Sequence, residues 1–213
     1  VADVTSLSDK MLAGEPEETV LKMEFVRNRL IELYKRNLVK INHSAMELVC
    51  ANHLIRYGYS VDVEKQLTDI LVCDVFAEKG DGVAIVEIET GFIPPEHALD
   101  PLAYYAARIA SKIARYSKYA NQFVLATTPV SVLPIPSLFR RPPRDRRPSE
   151  VRELKQLCDR YYLNPPVTED ELLNARLHII YIINTDAGKV VEMDVDSYLD
   201  RFELLLSPDS LGL

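Results

Sequence analysis

The stretch VCDVFAEKGDGVAIVEIET, residues 72–90, constrains this chain more than any other, because it sets Asp74, Glu87 and Glu89 among valines, isoleucines and alanines. Its alternation and its central Gly80-Asp81 predict two antiparallel strands joined by a type II′ loop, which favours glycine first. Lys79 then pairs with Gly82, and the same register carried outward places Asp74 opposite Glu87. Glu89 falls on the same face, diagonal to Asp74. A four-residue loop with the same centre leaves this register unchanged. Carboxylates opposed at a Cβ spacing of roughly 5 Å repel, and two of them do not both stay ionised unaided. A hard divalent cation relieves the repulsion, and an all-oxygen ligand set points to Mg²⁺ or Mn²⁺ rather than zinc or copper. The alternatives are an arginine for each acid, or edge strands with their acids in water.

The flanking sequence reads as α/β. Residues 15–40 form an amphipathic helix with Val20, Met23, Val26, Leu30, Leu33 and Tyr34 at steps of three and four, by default a docking or dimerising helix. The first 15 residues read as mobile. A second helix starts at Ser44 and stops at Gly58. Ser44-x-x-Glu47 matches a capping box, so Glu47 either closes that helix or reaches the acids of the hairpin. Strands follow near 59–64, 69–78 and 83–89, then a helix over about 102–120 opened by Asp100 as cap and Pro101, then a strand within 120–129. Residues 131–148, SVLPIPSLFRRPPRDRRP, are too rich in proline and arginine for a regular element and read as a flexible loop. A helix from Ser149, a short one after Thr168, a hairpin over 177–195 and a helix near 197–206 complete the chain. The expected divisions are an N-terminal helical extension (1–42), a core (43–130), the Pro/Arg-rich loop (131–148) and C-terminal helices with a hairpin packed on the core (149–213).

No apolar run approaches the roughly 20 residues of a membrane helix, and VADVTSLSDK lacks the form of a secretory signal, so no membrane partner and a cytoplasmic home are expected. Cys50, Cys73 and Cys158 form no CxxC pair and read as core thiols. The four histidines show no ligand spacing, and His43 alone lies beside a helix that matters here. The net charge of -7 is unevenly spread: residues 101–160 carry 12 basic and 4 acidic side chains within an acidic chain. That block suits a local anion-binding face. Within it Arg108, Lys112, Arg115 and Lys118 share one helical stripe, opposite Ala106, Ile109, Ala110 and Ile113. Arg140, Arg141, Arg144, Arg146 and Arg147 cluster in the proline-rich loop, where they either grip nucleic-acid phosphates or only solubilise it.

Glu47 in SAMELVCANHLIRYGY, Asp74 in TDILVCDVF and Glu87-Ile88-Glu89 in AIVEIET resemble the PD-(D/E)xK nuclease superfamily, most closely its archaeal Holliday-junction resolvase branch. The resemblance covers about residues 43–128. It implies an α/β fold with a restriction-endonuclease-like core: helix, mixed central sheet with an antiparallel meander, helix, strand. The N-terminal helix and a C-terminal α+β part are extensions. It also implies Mg²⁺ (or Mn²⁺) held by Asp74, Glu87 and Glu47, branched or structured DNA as substrate, and a homodimer, since paired cuts need paired sites. Glu89 stands where the family carries the lysine that orients the attacking water, although some restriction enzymes of the superfamily have glutamate there. Lys112-x-x-x-Tyr116 looks like the helical Q/K-x-x-x-Y element of several branches, which makes Lys112 the candidate substitute. The implied catalytic set is therefore Glu47, Asp74, Glu87, Glu89 and Lys112. A reading of a different class is a nuclease-like fold that has lost cleavage and serves as a DNA-binding or assembly subunit.

Overall fold

In the computed structural model, which describes residues 2–205, the expected hairpin lies inside a six-stranded mixed sheet. The strands are β1 (Ser60–Thr68), β2 (Leu71–Lys79), β3 (Gly82–Glu89), β4 (Gln122–Thr127), β5 (Ile179–Asn184) and β6 (Lys189–Met193), adjacent in that order. β1, β2 and β3 form an antiparallel meander; β3, β4 and β5 run parallel; β6 returns antiparallel on β5. Lys79 pairs with Gly82 and Val75 with Val86, the register that the loop predicts. Gly80 takes φ +58, the left-handed first position of that loop, where a side chain would be strained.

Each parallel step needs a crossover, and helices supply it. α4 (Pro101–Tyr116) links β3 to β4, and α5 (Pro148–Asp159) with α6 (Glu169–Asn174) links β4 to β5. These helices and α7 (Val195–Leu205) share one core with Phe76, Ile85, Phe123, Leu125 and Ile180. α1 (Ala2–Leu12), α2 (Glu17–Lys35) and α3 (Ile41–Arg56) share a second core with Val63, Val75, Val86, Val124 and Tyr181. The strands alternate between the two cores, which is why the central ones read as nearly continuous apolar runs.

Several expectations are corrected. The first residues are not mobile: α1 packs on α2 and α3, with Val4 buried. The apolar stripe of α2 is spent within the chain, with Met23, Val26, Leu30 and Leu33 buried, while Tyr34 remains partly exposed. α3 begins at Ile41, three residues before Ser44, so there is no capping box. Ser44 lies inside the helix, and its hydroxyl donates to the Lys40 carbonyl at 3.2 Å. The end of α3 does follow the expected glycine: Gly58 at φ +85 lets Tyr59 N–H reach Leu54 O and Gly58 N–H reach Ile55 O, the paired bonds of a Schellman motif. Asp100 does not cap α4, because its carboxylate accepts from the Tyr161 hydroxyl at 2.5 Å. The 131–148 loop does not hang free. Leu133, Ile135, Leu138 and Phe139 are buried, and the chain forms short 3-10 turns at Ser137–Arg140 and Pro143–Asp145. Prolines exclude a regular element there, but apolar residues between them anchor the loop to the α4-side core.

If α2 is an integral layer, Leu30→Ala costs about 2–5 kcal/mol in urea denaturation, whereas Leu21→Ala, 60% exposed on the same helix, stays within about 0.5 kcal/mol. Equal, small effects from both would show α2 to be an accessory.

Candidate metal centre

The ladder between β2 and β3 carries no rung beyond Val75–Val86. Past that point side chains take over from the backbone: Glu87 Oε1 accepts the Asp74 N–H at 3.1 Å, and Asp74 Oδ2 accepts the Ile88 N–H at 2.6 Å. On the other edge of β2 the β1 register runs Val63–Val75 and then Lys65–Cys73, skipping the Glu64–Asp74 rung. Glu64 there adopts φ +47. A non-glycine residue in that region costs of order 1–3 kcal/mol and persists only where its surroundings enforce it, most often at functional sites. Three adjacent strands thus present one acid each at one level.

α3 adds two more groups from below. His43 and Glu47 are one turn apart, and His43 Nε2 lies 3.2 Å from Asp74 Oδ1. Ligand-capable atoms of His43, Glu47, Glu64 and Asp74 all lie within 4.8 Å of one another. Glu47 is fully buried, and neither of its carboxyl oxygens has a hydrogen-bond partner among the described residues. Burial, then the charges of Asp74 and Glu64, a carboxyl–carboxyl contact with Glu64 that can share one proton, and the charge of Glu87 push its pKa well above the ordinary carboxylate value. Burial and Asp74 likewise raise Glu64. For Asp74 burial works the other way from its partners, and Lys112, His43 and the Ile88 N–H together hold it below its usual value. A buried carboxyl without a donor, facing other acids and an imidazole, is a donor set that fits a divalent cation.

α4 answers the remaining acids. Lys112 Nζ lies 2.8 Å from Glu89 Oε1, 3.0 Å from Glu87 Oε2 and 3.8 Å from Asp74 Oδ2. Burial opposes its charge, but those three acids outweigh it and raise the Lys112 pKa well above normal. Arg108 pairs with the same Glu89 oxygen at 3.1 Å and also reaches the Phe92 carbonyl. Glu87 stays pushed up to about 8 by burial and Asp74 despite Lys112. Tyr116, one turn beyond Lys112, donates its hydroxyl to Val72 O at 2.8 Å and ties α4 to β2.

The sequence-predicted acids Glu47, Asp74, Glu87 and Glu89 and the predicted Lys112 therefore meet in one place. Their division of labour differs from the expectation. Glu87 is turned to Lys112 and the Asp74 N–H, and it is not within the compact four-residue ligand group. That group includes His43 and Glu64, so its possible ligand atoms, unlike the set the sequence alone suggests, are not all oxygens. Sequence reading gave Glu64 no role, because the bulged β1–β2 register that brings it beside Asp74 is set by a shift between Gln66 and Thr68 without a strong turn signal.

The expected basic stripe of α4 splits. Arg108 and Lys112 serve the acids, while Arg115 donates to the Pro165 carbonyl and Lys118 pairs with Glu171 at 2.8 Å. In the loop, Arg140 pairs with Asp196 and Asp200, Arg141 with Glu150, and Arg146 is buried against carbonyls of Arg141, Leu172 and Leu173. Arg144 is exposed near Asp145, and the Arg147 backbone N–H is capped by Glu150. No helix among the described residues is long and apolar enough to cross a membrane. The chain matches no protein-family model, no curated protein and no solved structure.

Glu87, Glu47 and Glu64 all titrate higher in the folded chain than when unfolded, so the folded state binds more protons in the window above the unfolded carboxylate pKa. Stability of the metal-free protein therefore falls as pH rises from about 5 to about 8, and Glu87→Gln makes that fall shallower. Thermal melts in a chelator across this range measure it; a melting temperature that rises toward neutral pH would contradict the electrostatics described.

Proposed function

We propose that this chain is a divalent-metal-dependent endonuclease of the PD-(D/E)xK kind, hydrolysing phosphodiester bonds in branched or otherwise structured DNA as a homodimer. The observation that carries this reading is the meeting of Glu47, Asp74 and Glu87 with the cationic Lys112 where β2 and β3 part. The element order α3, β1, β2, β3, α4, β4 supports it, since helix, meander, helix and strand is the order such a core would need. Free, buried Cys50, Cys73 and Cys158 suit a reducing cytoplasmic setting.

Asp74 and Glu47 would hold Mg²⁺ or Mn²⁺, with Glu64 and His43 completing the site. Such an ion polarises a phosphate oxygen and lowers the pKa of water. The chain's own groups then have separate tasks. Lys112 Nζ, held by Glu87 and Glu89, supplies fixed positive charge for a phosphate whose negative charge grows in the transition state. Glu89 positions that ammonium rather than replacing the family lysine, and Arg108 braces Glu89. Glu87, pushed up to about 8 by burial and Asp74, mostly keeps its proton near neutral pH and can give it up there. One feature favours the second reading, a silent DNA-binding subunit: Glu87 and Glu89 already occupy Lys112.

Synthetic junction, flap and duplex DNAs incubated with Mg²⁺ or Mn²⁺ are expected to be nicked, with Asp74→Ala and Lys112→Ala each lowering the rate by about 100-fold or more. Identical products from wild type and Asp74→Ala under every metal would end the nuclease reading. Junction binding without cleavage would select the silent one.

A further inference from the structure

A second concentration of charge lies away from the acids. Arg140, Arg141, Arg144, Arg146, Arg176 and His178 surround a cavity of about 650 Å³, a volume typical of small-molecule sites. His178 immediately precedes β5 and accepts the Phe123 N–H at 3.0 Å. The cavity thus opens at the N-terminal end of the parallel strands, whereas Glu87 and Glu89 lie at the C-terminal end of β3.

The guanidiniums around it are not equivalent. Arg140 is committed to Asp196 and Asp200, and Arg141 to Glu150 at 2.8 Å. Arg146 is 6% exposed, is fixed by three backbone carbonyls, lies over the Phe139 ring and has no acid as partner among the described residues. Burial, and then the charges of Arg141 and Arg176, lower its pKa to about 10. Among the described residues Arg144, which is exposed, has one ion pair, with Asp145 at 3.8 Å, and Arg176, also exposed, has none. A rigid buried cation beside Arg176 and the exposed, loosely paired Arg144 leaves positive charge in excess at a concave surface. Guanidinium forks match phosphate oxygens two at a time and hold their hydration weakly.

We propose that this cavity is a binding site for a small molecule bearing a terminal phosphate or diphosphate, gripped by Arg144 and Arg176 above the fixed charge of Arg146. Pro142 and Pro143 stiffen the wall, and a volume of about 650 Å³ suits a compact ligand rather than a duplex. The same chemistry would accept the 5′-phosphate of a nucleic-acid strand end, so the test separates the two sources. The proposal stands independently of nuclease activity.

Calorimetric titration of the full chain at low salt with pyrophosphate, with ATP, and with short oligonucleotides with and without a 5′-phosphate tests it. Saturable binding of pyrophosphate or ATP is expected, weakened about tenfold or more by Arg144→Gln with Arg176→Gln and unchanged by Asp74→Ala. Both replaced side chains lie at the rim, so an unchanged thermal melt confirms that the double variant is folded. No binding of either small molecule overturns the proposal, as does equal affinity in wild type and double variant. Binding of only the 5′-phosphorylated oligonucleotide also overturns it, and gives the site to a strand end instead.

Discussion

Two backbone N–H groups, those of Asp74 and Ile88, govern this molecule's chemistry. Where β2 and β3 cease to pair, each N–H is taken by a carboxylate from the opposite strand, Glu87 in one case and Asp74 in the other. The sheet therefore loses rungs without leaving donors unsatisfied. Two acids are pinned face to face inside the fold, and neither can swing into solvent to escape the other. Everything nearby is a response to that repulsion. Lys112 and Arg108 come from α4 to meet Glu87 and Glu89, while α3 and β1 bring Glu47, Glu64 and His43 to the far side of Asp74. Five carboxyl groups face two basic side chains, Glu47, Glu64 and Glu87 are pushed toward their neutral forms, and on the α3 side Glu47 is fully buried with no hydrogen-bond partner among the described residues.

The two crossovers make this arrangement possible. A parallel β3–β4 step forces the chain over the α4 side of the sheet, and the length of α4 sets Lys112 level with the end of β3. α3 precedes the meander and packs on the opposite face, so the site is reached by helices from both sides of one strand edge. The Pro/Arg-rich segment plays a different part. Its leucines, isoleucine and phenylalanine complete the α4-side core, and its arginines are mostly committed within the fold. Basic residues close in sequence were thus sorted by tertiary structure into braces for acids, anchors for carbonyls and exposed groups such as Arg144.

What could be read beforehand followed from local periodicity. The hairpin register was legible because a glycine-first loop leaves one pairing, and with it came the Asp74–Glu87 confrontation. The stop of α3 was legible from Gly58, whereas its start was not, because Ser44 and Glu47 imitate a cap that the longer helix absorbs. Lys112 was legible from its place on a helical stripe; its partners Arg115 and Lys118 share the stripe but curve away to residues 165–171. The approach of Glu64 and His43 to Asp74 was not legible, since it depends on the offset of β1 against β2 and on the depth at which α3 settles. The folded N-terminal helix was missed for a related reason. Its short amphipathic face acquires meaning only once α2 and α3 exist to receive it.

The most direct test of the account is the position of a bound ion. Crystals grown with Mn²⁺ and measured at an anomalous wavelength should show one peak among His43, Glu47, Glu64 and Asp74, with Lys112 still seated on Glu87 and Glu89. A map with no peak at millimolar Mn²⁺, and with the Glu47 carboxyl still alone, would contradict the central claim that the uncompensated acids are held together to receive a cation.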